Sequence, residues 1–241
     1  MIRQATVGII GMGNLGKSLA SMVINHSNNK IITNSRGNIL ENIDKQRLYY
    51  AKDNQEVATN CDVLILSTKP YQMEEVCFEI KDIIYQDIPV LSTAAGISLF
   101  QLQEWLKYSN TIIRCMPNIA CGVGSGIVPY YTDIHSVDDL MVNLFIPNRI
   151  IELSNDKQMD AATIIAGCGP AFFAWFSQQL CAVGADTIPY PTLMAMISQT
   201  LKGTGSLFDS KTDYDIIKEV ASPKGVTESV IKKMKEQNIE R

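Results

Sequence analysis

The 241-residue chain carries 21 basic and 25 acidic residues, a formal net charge of −4, and is 46% apolar. That balance excludes a disordered chain and gives no electrostatic pull toward nucleic acid or an anionic membrane surface. At about 150 residues per domain, the length allows one large domain or two small ones.

Thr6–Ile10 is a short apolar, β-branched run ended by Gly11, the pattern of a buried parallel strand. Helical spacing follows over Asn14–Ile24 (Leu15, Leu19, Met22, Val23), then a second strand at Lys30–Thr33. Further strands are predicted at Asp62–Ser67, Val90–Thr93 and Thr111–Cys115, with helices over Tyr71–Ile84 and Ser98–Lys107. Strands alternating with helices of this length predict βαβ units and a parallel sheet. Gly126–Tyr130 and Arg149–Leu153 are two more strand candidates, after which only helical periods remain. The boundary is therefore placed at Ser154–Asn155, giving an α/β domain over 1–154 and a helical domain over 155–241.

Ala161–Ala185 has no charged residue and is long enough to span a hydrocarbon layer of roughly 30 Å. Gly167, Gly169 and Pro170 near its start, and the adjacent Gln178 and Gln179, point instead to a helix buried between subunits. A homodimer and no membrane association are the expectations. The six cysteines form no Cys-x-x-Cys pair and have no His nearby to complete a cluster, so no metal site is expected. They read as small buried thiols of a reducing compartment. With no signal-peptide pattern at the N-terminus, a cytoplasmic location is expected.

Between the first strand and the first helix stands Gly11-Met12-Gly13-Asn14-Leu15-Gly16, a G-x-G-x-x-G. Gly11 permits the tight turn, Gly13 lets a pyrophosphate approach the backbone, and Gly16 allows close helix packing. The helix start offers free N–H groups to the phosphates. Strand, loop and helix together read as a Rossmann-type dinucleotide site. An NAD site places an acid about 20 residues past the glycines, on the ribose 2′-hydroxyl. Here Thr33-Asn34-Ser35-Arg36 holds none. Asn34 and Ser35 can donate to a 2′-phosphate and Arg36 can pair with it, which favours NADP(H) over NAD(H). Thr68-Lys69-Pro70, Ala94-Ala95-Gly96 and Met116-Pro117-Asn118 each stand just past a strand end, where ligands bind in open α/β sheets.

In the helical half, Gly167-Cys168-Gly169-Pro170-Ala171 interrupts an apolar helix, consistent with a substrate pocket or with a tight helix crossing. Ala221-Ser222-Pro223-Lys224-Gly225-Val226-Thr227 precedes an amphipathic helix. Ser222, the Thr227 hydroxyl and the N–H groups at that helix start suit a carboxylate-sized anion; an ordinary N-cap is the alternative.

Taken together, the Gly11–Gly16 loop, Lys69-Pro70, Ala95-Gly96, Arg114-Cys115-Met116-Pro117-Asn118, Gly167–Ala171 and Ser222–Thr227 resemble the pyrroline-5-carboxylate reductase family over nearly the whole chain. The resemblance implies reduction of 1-pyrroline-5-carboxylate to L-proline with NADPH or NADH. It also implies a Rossmann domain followed by an all-helical dimerisation domain, in a homodimer or a ring of dimers. By that likeness Ser222, Gly225, Val226 and Thr227 bind the substrate carboxylate, with Thr227 also reaching the ring nitrogen as the catalytic contact. Asn34, Ser35 and Arg36 hold the adenosine end, and Lys69, Pro70, Ala95 and Asn118 line the nicotinamide. The chain departs from the family pattern at Lys224, in place of a glycine, at Ile119-Ala120 after Met-Pro-Asn, and at Cys168 in place of serine.

Three other readings compete with this one. A β-hydroxyacid dehydrogenase needs a lysine on the first long helix of its second domain, and no lysine lies between Lys157 and Lys202. A reductase of another cyclic imine, and a non-catalytic NADP-binding sensor, stay open.

Overall fold

Thr6–Ile10 (β1) forms a strand because four of its five residues are buried, on alternating sides of a sheet. A computed structural model describes residues 4–35, 44–84, 88–107, 111–134 and 137–236; Arg36 and His135 lie outside them. In chain order, the helix Asn14–His26 (α1) leads to Lys30–Thr33 (β2), then Leu48–Tyr50 (β3) and Asn54–Thr59 (α2). Val63–Leu66 (β4), Pro70–Ile80 (α3), Val90–Ser92 (β5), Leu99–Trp105 (α4) and Ile112–Cys115 (β6) come next. Ile127–Tyr131 (β7), Asp138–Phe145 (α5) and Arg149–Glu152 (β8) complete one sheet of order β3-β2-β1-β4-β5-β6-β7-β8.

Period-2 side-chain geometry divides each central strand between two cores. Val7, Ile9, Ile31, Val63 and Ile65 face the cluster that includes Leu19 and Val23 of α1 and Phe145 of α5. Ile10, Ile32, Leu64 and Leu66 face the opposite cluster, with Met73 and Ile80 of α3 and Leu102 of α4. A sheet buried on both faces needs such continuous apolar strands, which is why Val63-Leu64-Ile65-Leu66 shows no polar alternation.

Three features differ from the sequence expectation. The elements β3 and α2 occupy a stretch with no predicted structure, and α5 likewise. β7 runs antiparallel to β6, so the sheet is not wholly parallel. The reason is the connection: 11 residues between Cys115 and Ile127, with a 3-10 turn over Ile119–Val123, supply no crossover helix. β7 and β8 do have one, α5, and pair in parallel. The third helix also stops at Ile80, short of the predicted Ile84.

Contacts divide the chain into two compact units, Met1–Phe172 and Phe173–Arg241. The first holds the sheet, Asp156–Ala162 (α6) and a π-helical turn over Thr163–Gly167, where the Cys168 N–H donates to the Thr163 carbonyl. That turn stands at the predicted interruption, and Gly169–Gly184 (α7) continues from it. Tyr190–Leu207 (α8), Asp213–Val220 (α9) and Val226–Glu236 (α10) complete the second unit.

The start of α6 is tied to the sheet. Arg114 of β6, only 2% exposed, reaches Asp156 and, at 3.2 Å, Asp160. Asp156 Oδ1 also accepts from the Leu99 N–H, so one carboxylate joins β6, α4 and α6.

Candidate active site

The strand order reverses direction between β1 and β4, and ligands of open α/β sheets bind outside the carboxyl ends of strands at such a point. A cleft of about 550 Å³ lies there. Its wall is built from segments just past the ends of four strands: Gly11–Leu15 after β1, Ser67–Pro70 after β4, Thr93–Ala95 after β5 and Met116 after β6.

The glycine loop meets the geometric demands of a dinucleotide. Gly11 sits at φ +97°, and a Cβ there would lie 2.5 Å from the Ser67 carbonyl oxygen. A Cβ at Gly16 would come within 2.1 Å of the Gly11 carbonyl oxygen, so helix and loop touch through bare backbone. Gly13 is different: a Cβ would meet nothing within 4 Å, and packing does not require glycine. Its bareness instead leaves the backbone open to the cleft, as an approaching pyrophosphate requires. No side chain caps α1, so its first N–H groups stay available to phosphate oxygens.

A second cavity of about 430 Å³ shares Gly11, Met12, Thr68 and Gln72 with the first and extends the trough to Asn34 and Ser35. The structure thus brings Gly11, Gly13, Asn14, Leu15, Lys69, Pro70 and Ala95 to one end, and Asn34 and Ser35 to the other. Gly16 supports the loop from beneath. Asn118 is not among the wall residues; its Oδ1 accepts from the Ala120 N–H and caps the 3-10 turn. Ser18 of α1 fixes the same turn, donating to the Ile119 carbonyl and accepting from the Gly122 N–H. Arg36 lies outside the described residues. Sequence reasoning missed Gln72, Asn54 and Glu79, which reach the trough from α2 and α3.

Lys69 is the one titratable side chain among the described residues of the larger cleft. The cysteines buried on either side of the sheet offer no nucleophile. Burial pushes the Cys61 and Cys77 thiols up to about 12 and Cys121 to about 11, leaving them protonated at neutral pH. Among the described residues, no three His, Cys, Asp or Glu side chains converge as a metal would need. A site so poor in acids and bases can orient reactants and exclude water, with little means to shuttle protons.

In the second unit, Ser222, Gly225, Val226 and Thr227 gather at the turn that enters α10. The Gly225 N–H donates to the Ser222 carbonyl at 2.9 Å. A Cβ at Gly225 would stand 2.6 Å from Ser222 Oγ, so the turn closes tightly. Thr227 is the second residue of α10, half-buried, and its hydroxyl makes no hydrogen bond among the described residues. Lys224 takes φ +62°, a left-handed conformation that favours glycine, and its N–H donates to Glu228 Oε2 at 2.7 Å. Glu228 was not foreseen, and it removes one donor from those the turn offers an anion.

Comparison with known proteins agrees with both halves. A family model described as pyrroline-5-carboxylate reductase dimerisation matches residues 156–241, and one described as NADP oxidoreductase, coenzyme F420-dependent, matches residues 6–96. The pyrroline-5-carboxylate reductase of Aquifex aeolicus is 28% identical, over 98% of this chain and 91% of the relative. Pyrroline-5-carboxylate reductase 3 of Rattus norvegicus is 31% identical over 72% of this chain and 66% of its own length. The crystal structure of Plasmodium falciparum pyrroline carboxylate reductase with NADP bound superposes with a TM-score of 0.84. It shares 25% identity and covers 97% of this chain and 90% of that one.

Proposed function

The chain belongs to the pyrroline-5-carboxylate reductase family, and from that premise we propose that it reduces 1-pyrroline-5-carboxylate to L-proline with NADPH. The observation that carries the reading is the cleft itself. A glycine loop built for a pyrophosphate opens onto a wall with a single titratable group among the described residues, Lys69. Hydride addition to a cyclic imine suits such a wall. The imine nitrogen can be protonated in solution before binding, so the protein needs no dedicated base. When bound, the dinucleotide supplies the hydride.

Each residue group then has a task. The N–H groups of Gly13, Asn14 and Leu15 hold the pyrophosphate, and Asn34, Ser35 and Arg36 hold the adenosine end. Lys69, Pro70 and Ala95 line the nicotinamide, with Asn118 shaping the adjoining turn. Ser222, Gly225, Val226 and Thr227 take the substrate carboxylate through hydroxyls and backbone N–H groups, and the Thr227 hydroxyl hydrogen-bonds the ring nitrogen. Among the described residues that hydroxyl has no other hydrogen-bond partner, which supports this assignment. Substrate-dependent oxidation of NADPH is the experiment that tests the reaction.

The working unit is a homodimer, with residues 155–241 as its dimerisation module. Phe173, Trp175 and Val183 of α7 are 61%, 62% and 87% exposed, a surface too apolar for a monomer. The run Asp156–Gly184 is long and apolar enough to cross a membrane by length and composition. Two facts favour a subunit interface over a bilayer: Asp156 and Asp160 at its start are bound to buried Arg114, and Gln178-Gln179 lies inside it. Light scattering at micromolar concentration should give a mass of twice 26.7 kDa or a multiple of that pair. A folded, active monomer would contradict the assignment. Six free cysteines support a reducing, cytoplasmic setting.

A further inference from the structure

The end of the trough beyond β2 contains a chain of hydrogen bonds that cofactor cradling alone does not require. Asn54 of α2 donates from Nδ2 to Glu79 Oε2 of α3 at 2.5 Å, and Asn34 donates from Nδ2 to Asn54 Oδ1 at 2.8 Å. All three line the same cavity. We propose that Glu79 is a positioning residue that sets how the enzyme divides its use between NADPH and NADH, acting through Asn54 and Asn34; the proposal rests on the dinucleotide reading above.

The donor and acceptor inventory dictates the arrangement. A carboxylate only accepts, so Asn54 must turn its amide nitrogen toward Glu79. Its carbonyl oxygen then faces Asn34, which must answer with its own amide nitrogen. The orientation of both amides is thus fixed by chemistry. Asn34 is left with its carbonyl oxygen and one amide N–H unbonded among the described residues. It is the first residue past β2, where an NAD site keeps an acid to accept from the ribose 2′-hydroxyl. The Asn34 carbonyl is an uncharged version of that acceptor. A 2′-hydroxyl can donate to that carbonyl, whereas a 2′-phosphate, which presents acceptors, can use only the one amide N–H that Asn54 leaves free. Phosphate recognition then falls mainly to Ser35 and Arg36, while the Glu79 relay keeps NADH competitive. Glu79 is exposed, so solvent screens its charge and the relay geometry carries the effect.

Glu79→Gln separates geometry from charge. A glutamine amide can donate as well as accept, so the relay can invert and turn the Asn34 amide nitrogen toward the ligand. Calorimetric titration of the full-length protein with NADP⁺ and NAD⁺, beside kcat/KM for NADPH and NADH, reads the outcome. NADP⁺ should bind more tightly and NAD⁺ more weakly. The affinity ratio should move about tenfold toward NADP⁺, the size of one hydrogen bond exchanged on a charged ligand. Melting temperature should hold, and the kinetic change should appear in the KM values for the two cofactors. Arg36→Ala is the reverse control, weakening NADP⁺ alone. If both dinucleotides shift together, or neither shifts, the proposal is overturned. Tighter NADP⁺ with unchanged NAD⁺ reduces Glu79 to a bare charge and overturns the relay. A parent protein that binds neither dinucleotide defeats the functional reading itself, and the proposal with it.

Discussion

Replacing Asp156 and Asp160 together by Ala is expected to lower the unfolding free energy by about 3–5 kcal/mol, the cost of leaving a buried charge without its partners. Arg114 is 2% exposed, so its guanidinium cannot hydrate when the carboxylates go. The carboxylates are not so confined, with side chains 37% and 59% exposed. This asymmetry predicts an order of effects. Arg114→Met removes the charge, keeps most of the stem's volume, and leaves two carboxylates that water can reach. Its cost should stay below about 2 kcal/mol. Urea denaturation at one fixed protein concentration checks both, since a dimer's stability depends on concentration. Equal losses, or the reverse order, would mean the guanidinium is solvated and the network is not what fastens α6 to β6.

Thr227→Ala is expected to lower kcat/KM for the imine about tenfold to a hundredfold. The lost contact is a hydrogen bond to a charged ligand, which contributes roughly 1.5–3 kcal/mol. Several backbone N–H groups remain, so binding should survive in part. The fold should barely notice, because the Thr227 hydroxyl bonds nothing among the described residues. Steady-state kinetics beside a thermal melt would decide. Full activity with Thr227→Ala would remove the hydroxyl from the substrate site, and a large drop in melting temperature would return it to a structural role.

Much of the fold was legible because burial leaves a local signature. Val63–Leu66 reads as a strand from four adjacent apolar residues, since both faces of the sheet are covered. The Gly11–Gly16 loop is legible for the same local reason: turn, approach and helix packing each need glycine at a fixed offset. Leu48–Tyr50 and Asn54–Thr59 are three and six residues long, too short for either period to register. The reversal at β7 depends on a missing crossover, a property of topology and not of residues 127–131.

The site divides along similar lines. Ser222, Gly225, Val226 and Thr227 could be proposed from the sequence because one turn holds them all. Asn54 and Glu79 stand 25 residues apart on different helices and meet Asn34 only once β2, α2 and α3 pack. Nothing local marks a carboxylate that acts through two amides. Lys224 was legible as an oddity in a glycine's place, and its φ of +62° supplies the physical reason a glycine suits that position.

The central claim is that this chain transfers hydride from NADPH to a carboxylated cyclic imine, and a spectrophotometric assay of NADPH oxidation tests it most directly. With pyrroline-5-carboxylate present, the account predicts loss of NADPH that requires the imine and yields one L-proline per NADPH consumed. Tight NADPH binding with no turnover on any cyclic imine would contradict it and identify a cofactor sensor. Turnover confined to imines lacking the carboxylate would contradict the role given to Ser222–Thr227.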